Sequence, residues 1–155
     1  MTASRNQRAA QEYRQMHQAL HLKRVLETAL YVDDLGRSRE FYEAVLLVKP
    51  LSASERVCAY DIGGQSILLL FKRGATLEPV VTSGGTIPPH DGRGPLHIGL
   101  AISEDELCAW ERNLIAQGVT IEARMSWSRG GTSIYFRDPD GHLVEFATLG
   151  LWQTY

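Results

Sequence analysis

Glu27, His97 and Glu145 are the residues of this chain whose types and spacing could do chemistry together. Each lies in a short segment of alternating apolar residues. Glu27 shares its side with Ala29, His97 with Gly99 and Ala101, and Glu145 with Leu143 and Ala147. Small neighbours leave room for a ligand. A carboxylate turned toward apolar surroundings costs on the order of several kcal/mol unless it is paired or bound to a cation. Two such carboxylates and an imidazole form a donor set that a divalent ion would neutralise, and either carboxylate could double as a general base. Taken singly, each of the three is also an ordinary strand-edge polar group.

Their placement gains weight from a repeat. The stretch from Leu26 through the Gly63-Gly64 turn to Phe71 resembles the stretch from Leu96 through Asp138-Pro139-Asp140-Gly141 to Thr148. Laid over each other, Glu27 falls on His97 and Leu68 on Glu145, so three of four equivalent positions carry metal-ligand types. A duplicated unit can bring distant residues to one pseudo-two-fold axis.

The elements that must hold these residues can be read from periodicity. Val25–Val32 alternates as a strand, and Asp34 can cap a helix carrying Phe41, Val45 and Leu46. Lys49-Pro50 ends that helix, and strands follow over 57–62 and 66–71. The second half repeats the order. A strand at 96–102 leads to a Ser103–Glu106 capping box and a helix with the stripe Leu107, Trp110, Leu114, stopped by Gly118. Strands at 119–123, 133–137 and 143–148 complete it, the last two flanking a type I turn. The predicted fold is α+β: paired βαβββ modules forming a cupped, incomplete β-barrel with helices outside. The predicted organisation is an amphipathic helical extension over 1–22, a first module over 23–72, a Gly/Pro-rich linker or flap over 73–95, a second module over 96–149, and a tail over 150–155. The extension carries Ala9, Tyr13, Met16 and Leu20 on one helical face.

With 155 residues, 44% of them hydrophobic and 22% charged, the chain can build a real core. A net charge of −2 and the lack of a basic stripe argue against a nucleic-acid partner. The longest apolar run, Ile67–Phe71, is too short to cross a membrane. Cys58 and Cys108 sit in apolar segments and read as buried free thiols of a reducing compartment, so a cytoplasmic location is expected.

The segments Glu27-Thr28-Ala29-Leu30-Tyr31-Val32-Asp33-Asp34-Leu35, Ser38 with Phe41-Tyr42, and Tyr135-Phe136-Arg137-Asp138-Pro139-Asp140-Gly141-His142-Leu143-Val144-Glu145 resemble the vicinal oxygen chelate superfamily. That superfamily includes glyoxalase I, fosfomycin-resistance proteins, extradiol dioxygenases and bleomycin-resistance proteins. The resemblance covers roughly residues 24–148. It implies a divalent metal (Mn, Ni, Fe, Zn or Mg) held by Glu27, His97 and Glu145, with Leu68 at a fourth position that another branch fills with a ligand. It implies a small-molecule substrate in a cleft to which Tyr60, Leu68, Trp127, Arg129 and Tyr135 could contribute, and a homodimer. The preferred chemistry is that of a glyoxalase-like lyase or isomerase. There Glu27 and Glu145 flank the ion and one of them moves a proton beside a carbonyl. A ring-cleaving dioxygenase is the alternative, although that branch uses two His and one carboxylate where Glu27 stands here. In such an enzyme His90 could serve as an acid–base group. A metal-free protein that sequesters an antibiotic in a cleft lined by Trp127, Tyr135, Tyr60 and Trp152 is the non-enzymatic alternative. A fosfomycin-type transferase would need a thiol or water nucleophile and a cationic oxyanion cage, for which Arg73, Arg93 and Arg129 are the candidates.

Overall fold

Alternation of apolar residues sets the first strand, Glu27–Val32 (β1), whose Leu30 and Val32 are buried while Glu27 stays exposed. A computed structural model describes Gln7, Tyr13 and residues 20–155, and most of the predicted 1–22 helix lies outside the described residues. From β1 the chain runs through Leu35–Leu46 (α1), Pro50–Ala53 (β2), Val57–Ile62 (β3) and Ser66–Lys72 (β4). After a small hairpin of Val80–Thr82 (β5) and Gly85–Ile87 (β6), it continues through His97–Ala101 (β7) and Leu107–Ala116 (α2). Ala123–Ser126 (β8), Thr132–Arg137 (β9) and Leu143–Ala147 (β10) complete it.

Two four-stranded sheets result, in the orders β1-β4-β3-β2 and β7-β10-β9-β8. In each, the outer strand runs parallel to its neighbour and the others are antiparallel. The identical order in both halves is the architecture of a duplicated βαβββ unit. Neither sheet closes into a barrel. Each buries one face under its own helix: the Tyr60 hydroxyl donates to Glu43 Oε1 of α1 at 3.0 Å, and Trp110 of α2 lies 5.1 Å, centroid to centroid, from Phe146 of β10. Leu30, Tyr42, Leu70, Ile134 and Phe136 belong to one continuous core shared by both halves. Burying each such side chain contributes about 1.5–3 kcal/mol. Asp34 caps α1 as expected, accepting from the Arg37 N–H at 3.0 Å.

The halves are joined by a seam of hydrogen bonds around the turn after β9. Asp138 Oδ1 accepts from the N–H groups of Asp140 and His142, which tightens the turn, while Oδ2 accepts from the Tyr42 hydroxyl of α1. Asp140 accepts from the Asp33 N–H at 2.8 Å and from the Ser38 hydroxyl at 2.9 Å, with Arg37 3.3 Å away. The His142 ring is fully buried. Its Nδ1 accepts from the Leu96 N–H at 2.9 Å and its Nε2 donates to the Tyr31 carbonyl at 3.0 Å. One imidazole therefore ties the end of β1 to the start of β7.

Several expectations shift. Ser103 makes no side-chain cap bond, because a 3₁₀ turn over Glu104–Glu106 intervenes before α2. The strand expected at 119–123 forms at Ala123–Ser126, and the 73–95 linker contains the β5–β6 hairpin. Cys58 is buried, but Cys108 is exposed, since its position on α2 turns away from the Leu107–Leu114 stripe. The repeat alignment is corrected by one residue. Glu27 pairs with Ile67 and Ala29 with Leu69, while His97 pairs with Leu143 and Gly99 with Glu145. If Glu27 corresponds to His97, then Leu69, not Leu68, corresponds to Glu145. A shift of one moves a side chain to the other face of the sheet. The run Ile67–Phe71 is apolar on both faces, so alternation could not fix its phase.

Candidate active site

The face of the second sheet away from α2 carries His97, Gly99 and Ala101 from β7, Glu145 and Ala147 from β10, and Tyr135 from β9. His97 Nε2 and Glu145 Oε2 lie 3.3 Å apart. The two differ sharply in exposure: the imidazole is half exposed, and the carboxylate only 7%. The buried carboxylate is held by Tyr135, whose hydroxyl donates to Oε1 at 2.8 Å. Burial first, then this bond to Glu145, pushes the Tyr135 phenol above its usual range. The Tyr135 ring also stacks along His97, centroids 6.5 Å apart. His97 Nδ1 lies 3.2 Å from the Leu143 carbonyl and donates to it in the neutral ring. Nε2 then turns a lone pair toward a carboxylate oxygen, an arrangement that a proton or a cation between them reconciles. An imidazole anchored through its other nitrogen to a backbone carbonyl is what metal-binding histidines show. Donors at neighbouring corners of an octahedron with bonds of ~2.1 Å lie about 3.0 Å apart, close to the spacing here.

Gly99 keeps this floor open: a Cβ there would sit 3.5 Å from Glu145 Oε2. The cleft above it has a volume of about 450 Å³ and is walled by Trp127, Leu151, Trp152 and Tyr155. Another crevice, of about 460 Å³, opens beside Asp34, Arg39, Glu55 and Lys72, but it offers no imidazole and no buried carboxylate.

Of the residues singled out in the sequence, His97, Glu145, Tyr135 and Trp127 come together here. Glu27 does not join them within the chain. It stands on the open face of the first sheet, four residues back along β1 from the Tyr31 seam, roughly 13 Å of strand. Among the described residues, no group of three or more His, Cys, Asp or Glu side chains gathers closely enough to hold an ion. Tyr60 and Leu68 do not face a cleft. They are cross-strand partners on the helix-covered side of the first sheet and are fully buried. Arg129 is exposed in the 127–130 turn, outside the cleft lining. Arg73 is engaged by Asp33, the Tyr31 carbonyl and the Gly92 carbonyl. His90 lies on the linker, where its Nδ1 meets the Tyr31 hydroxyl at 2.7 Å and its ring packs 4.8 Å from Phe71.

Sequence reasoning offered Trp152 as a cleft aromatic, which the cleft lining bears out, but missed how the tail folds. Residues 149–155 fold back so that the Tyr155 hydroxyl donates to the carbonyls of Ile102 and Ala147, and Gly150 packs against Gly131 with no room for a Cβ. The aromatic content of Leu151-Trp152-Gln153-Thr154-Tyr155 was the available signal.

A family model described as Glyoxalase/Bleomycin resistance protein/Dioxygenase superfamily matches residues 24–146. The chain belongs to this superfamily. Within it, the chain is similar to proteins named metallothiol transferase FosB. The one from Shouchella clausii is 30% identical over 119 residues, 76% of this chain and 74% of that protein. The one from Lysinibacillus sphaericus is 34% identical over 119 residues, 76% of each. Among solved structures, a lactoylglutathione lyase from Agrobacterium tumefaciens superposes with a TM-score of 0.77 at 28% identity, covering 86% of this chain and 99% of that one. A glyoxalase/bleomycin resistance protein/dioxygenase from Nocardioides, at 21% identity and TM-score 0.66, shares the fold. The superfamily hosts several chemistries on these paired modules, so the reaction must be argued from the site. No helix among the described residues is long and apolar enough to cross a membrane.

Proposed function

We propose that the protein is a metal-dependent enzyme that moves a proton on a small oxygenated carbonyl compound, as a lyase or isomerase does. The observation that carries this reading is the His97–Glu145 pair, 3.3 Å apart at the floor of an open cleft with Tyr135 fixing the carboxylate. His97 and Glu145 would hold a divalent ion together with Glu27 of a second copy of the chain. Two donors from one chain leave most of an ion's coordination open, and Glu27 is exposed on a face that its own module leaves uncovered. When bound, such an ion supplies Lewis-acid polarisation of a substrate oxygen. Tyr135 holds Glu145 in one orientation, and Trp127 and the tail limit water above it. One of the two glutamates takes the proton from the carbon beside the carbonyl while its electron pair moves toward the oxygen. The proton returns to the former carbonyl carbon while the hydroxyl proton passes to the former carbonyl oxygen, so no oxidant is needed.

Two measurements test this reading. Equilibrium dialysis with Mn²⁺ should show binding that is lost in Glu27→Ala, His97→Ala and Glu145→Ala. Co-refolding Glu27→Ala with His97→Ala should restore about a quarter of the sites, because half the dimers are mixed and each carries one intact site of its two. A site contained in one chain would recover none. Incubating the Mn²⁺-loaded protein with hydroxyacetone in D₂O should wash out the C–H protons beside the carbonyl, and Glu145→Gln should abolish the exchange. Absence of exchange in the loaded wild type overturns the proton-transfer assignment.

A second reading, thiol transfer, is favoured by the likeness to proteins named metallothiol transferase. Metal-dependent consumption of a thiol without C–H exchange would select it.

A further inference from the structure

The cleft beside His97 and Glu145 has a distinct wall. Residues 149–155 form a strap that runs past the end of β10 and turns back on itself. The Gly150 N–H donates to the Tyr155 carbonyl at 3.0 Å, and Trp152 and Tyr155 exchange backbone bonds at 3.2 Å. The Tyr155 hydroxyl then anchors the strap to both strands of the parallel pair, at the end of β7 through the Ile102 carbonyl at 3.2 Å and on β10 through the Ala147 carbonyl at 3.1 Å. Gly131 and Gly150 meet backbone to backbone, where a Cβ on either would come within 3.0 Å of the other segment. The strap is thus a built element, and it presents Leu151, Trp152 and Tyr155 to the cleft. Trp152 is 69% exposed, a large ring surface held next to the site and left uncovered among the described residues.

The charge of the cleft is equally one-sided. No Lys or Arg lines it among the described residues. Arg137 shares that sheet face but is turned to Glu122 and to the Gly141 carbonyl, away from the cleft. The open face of the first sheet, which a second copy would bring opposite, carries Glu27 and Asp61 as its charged residues on β1, β3 and β4. A divalent ion held by two carboxylates is already neutralised. A doubly charged anion added there would find no Lys or Arg among the described cleft residues to meet it, and Asp61 on the facing sheet would repel it.

From these observations we infer that the strap is the specificity wall of the site, and that the substrate is an uncharged compound with an aromatic body next to its pair of vicinal oxygens rather than a phosphonate. This rests on the proposed site, with His97 and Glu145 taking the oxygen end and Trp152 the ring. The body of a ring substrate would lie against Trp152 and Leu151, where apolar contact and ring stacking favour it.

The test uses three probes that separate ring, chelating head and charge: 2-hydroxyacetophenone, hydroxyacetone and methylphosphonate. Calorimetric titration of the full-length protein, with and without Mn²⁺, should give at least about tenfold tighter binding of 2-hydroxyacetophenone than of hydroxyacetone, which has the same oxygens and no ring. Trp152→Ala should remove that selectivity while Mn²⁺ affinity stays as in the wild type. Leu151→Ala, a smaller deletion, should reduce it in part. Thermal midpoints of both variants report that the chain remains folded. Equal affinity for the two ketones, selectivity that survives both substitutions, or methylphosphonate binding more tightly than 2-hydroxyacetophenone overturns the inference while Mn²⁺ binding leaves the metal site standing. Conversely, ring selectivity that depends on Trp152 in a protein that binds no Mn²⁺ supports the strap and overturns the metal reading.

Discussion

Tyr135→Phe removes one oxygen atom and isolates what the hydroxyl does for Glu145. The ring is retained, so its packing along His97, 6.5 Å between centroids, should persist. What is lost is a 2.8 Å hydrogen bond to Glu145 Oε1, made to a charged acceptor that is 7% exposed and has little water to replace it. Bonds to charged groups contribute about 1.5–3 kcal/mol. Two effects oppose each other. An unpartnered carboxylate attracts a cation more strongly, but it is also free to rotate away from His97. In partly buried sites the orientation term dominates, and removal of a group that holds a metal ligand typically weakens the metal by about 10–100-fold. The bond is also made in the metal-free chain, where losing it lowers stability, so the change in metal affinity reports the lost orientation of Glu145. Equilibrium dialysis with Mn²⁺ at neutral pH reads it directly. Urea unfolding of the metal-free variant, expected to cost about 1–2 kcal/mol, shows that the chain is folded during the measurement. If Tyr135→Phe binds Mn²⁺ as tightly as the wild type, or more tightly, Glu145 is positioned by something else and the orienting role of Tyr135 is wrong.

Two further outcomes test the seam. His142→Phe substitutes a somewhat larger ring and deprives the part-buried Leu96 N–H of its acceptor, while the Tyr31 carbonyl keeps Arg73. A loss of about 2–4 kcal/mol is expected in urea unfolding, and an unchanged midpoint would remove His142 from the joint between halves. Asp140 titrates below its ordinary value: burial raises it, but the Asp33 N–H, Ser38 and Arg37 lower it more. Its stabilisation is therefore present above the unfolded value of 3.8 and lost as pH falls through the folded one, so the gap between wild type and Asp140→Asn should close in acid. Asp138, raised chiefly by burial, works in the opposite sense, since its cost at neutral pH is relieved on protonation. A gap that widens below pH 3.8 would contradict the assignment for Asp140.

What the sequence revealed follows from how local each feature is. The phase of β7 was plain because Leu96, Ile98, Leu100 and Ile102 alternate with His97, Gly99 and Ala101, and only one phase buries the large residues. The phase of β4 was hidden because Leu68 and Leu69 are equally apolar, and only the pairing of β1 with β4 separates them. That ambiguity put Leu68 at the wrong point of the repeat and in the wrong place in space. Tyr60 was misplaced for a related reason: an aromatic in a strand looks the same whether it faces solvent or helix. The Asp-Pro-Asp-Gly turn was recognisable, but its larger role was not, since its partners Asp33, Ser38 and Tyr42 lie about a hundred residues earlier in the chain. Residues 150–155 show no period, and their anchor on Ile102 exists only once β7 and β10 are paired.

His142 holds the backbone immediately before His97 and stands three residues ahead of Glu145 on the next strand. The separation between imidazole and carboxylate is thereby decided by buried protein contacts before any ion arrives. An ion of unsuitable radius can be met only by side-chain rotation, which for Glu145 means leaving the Tyr135 hydroxyl, because the strands beneath are held by the joint between halves. Discrimination among competing ions would then come from the stiffness of the scaffold, with the preferred size set far from the coordinating atoms.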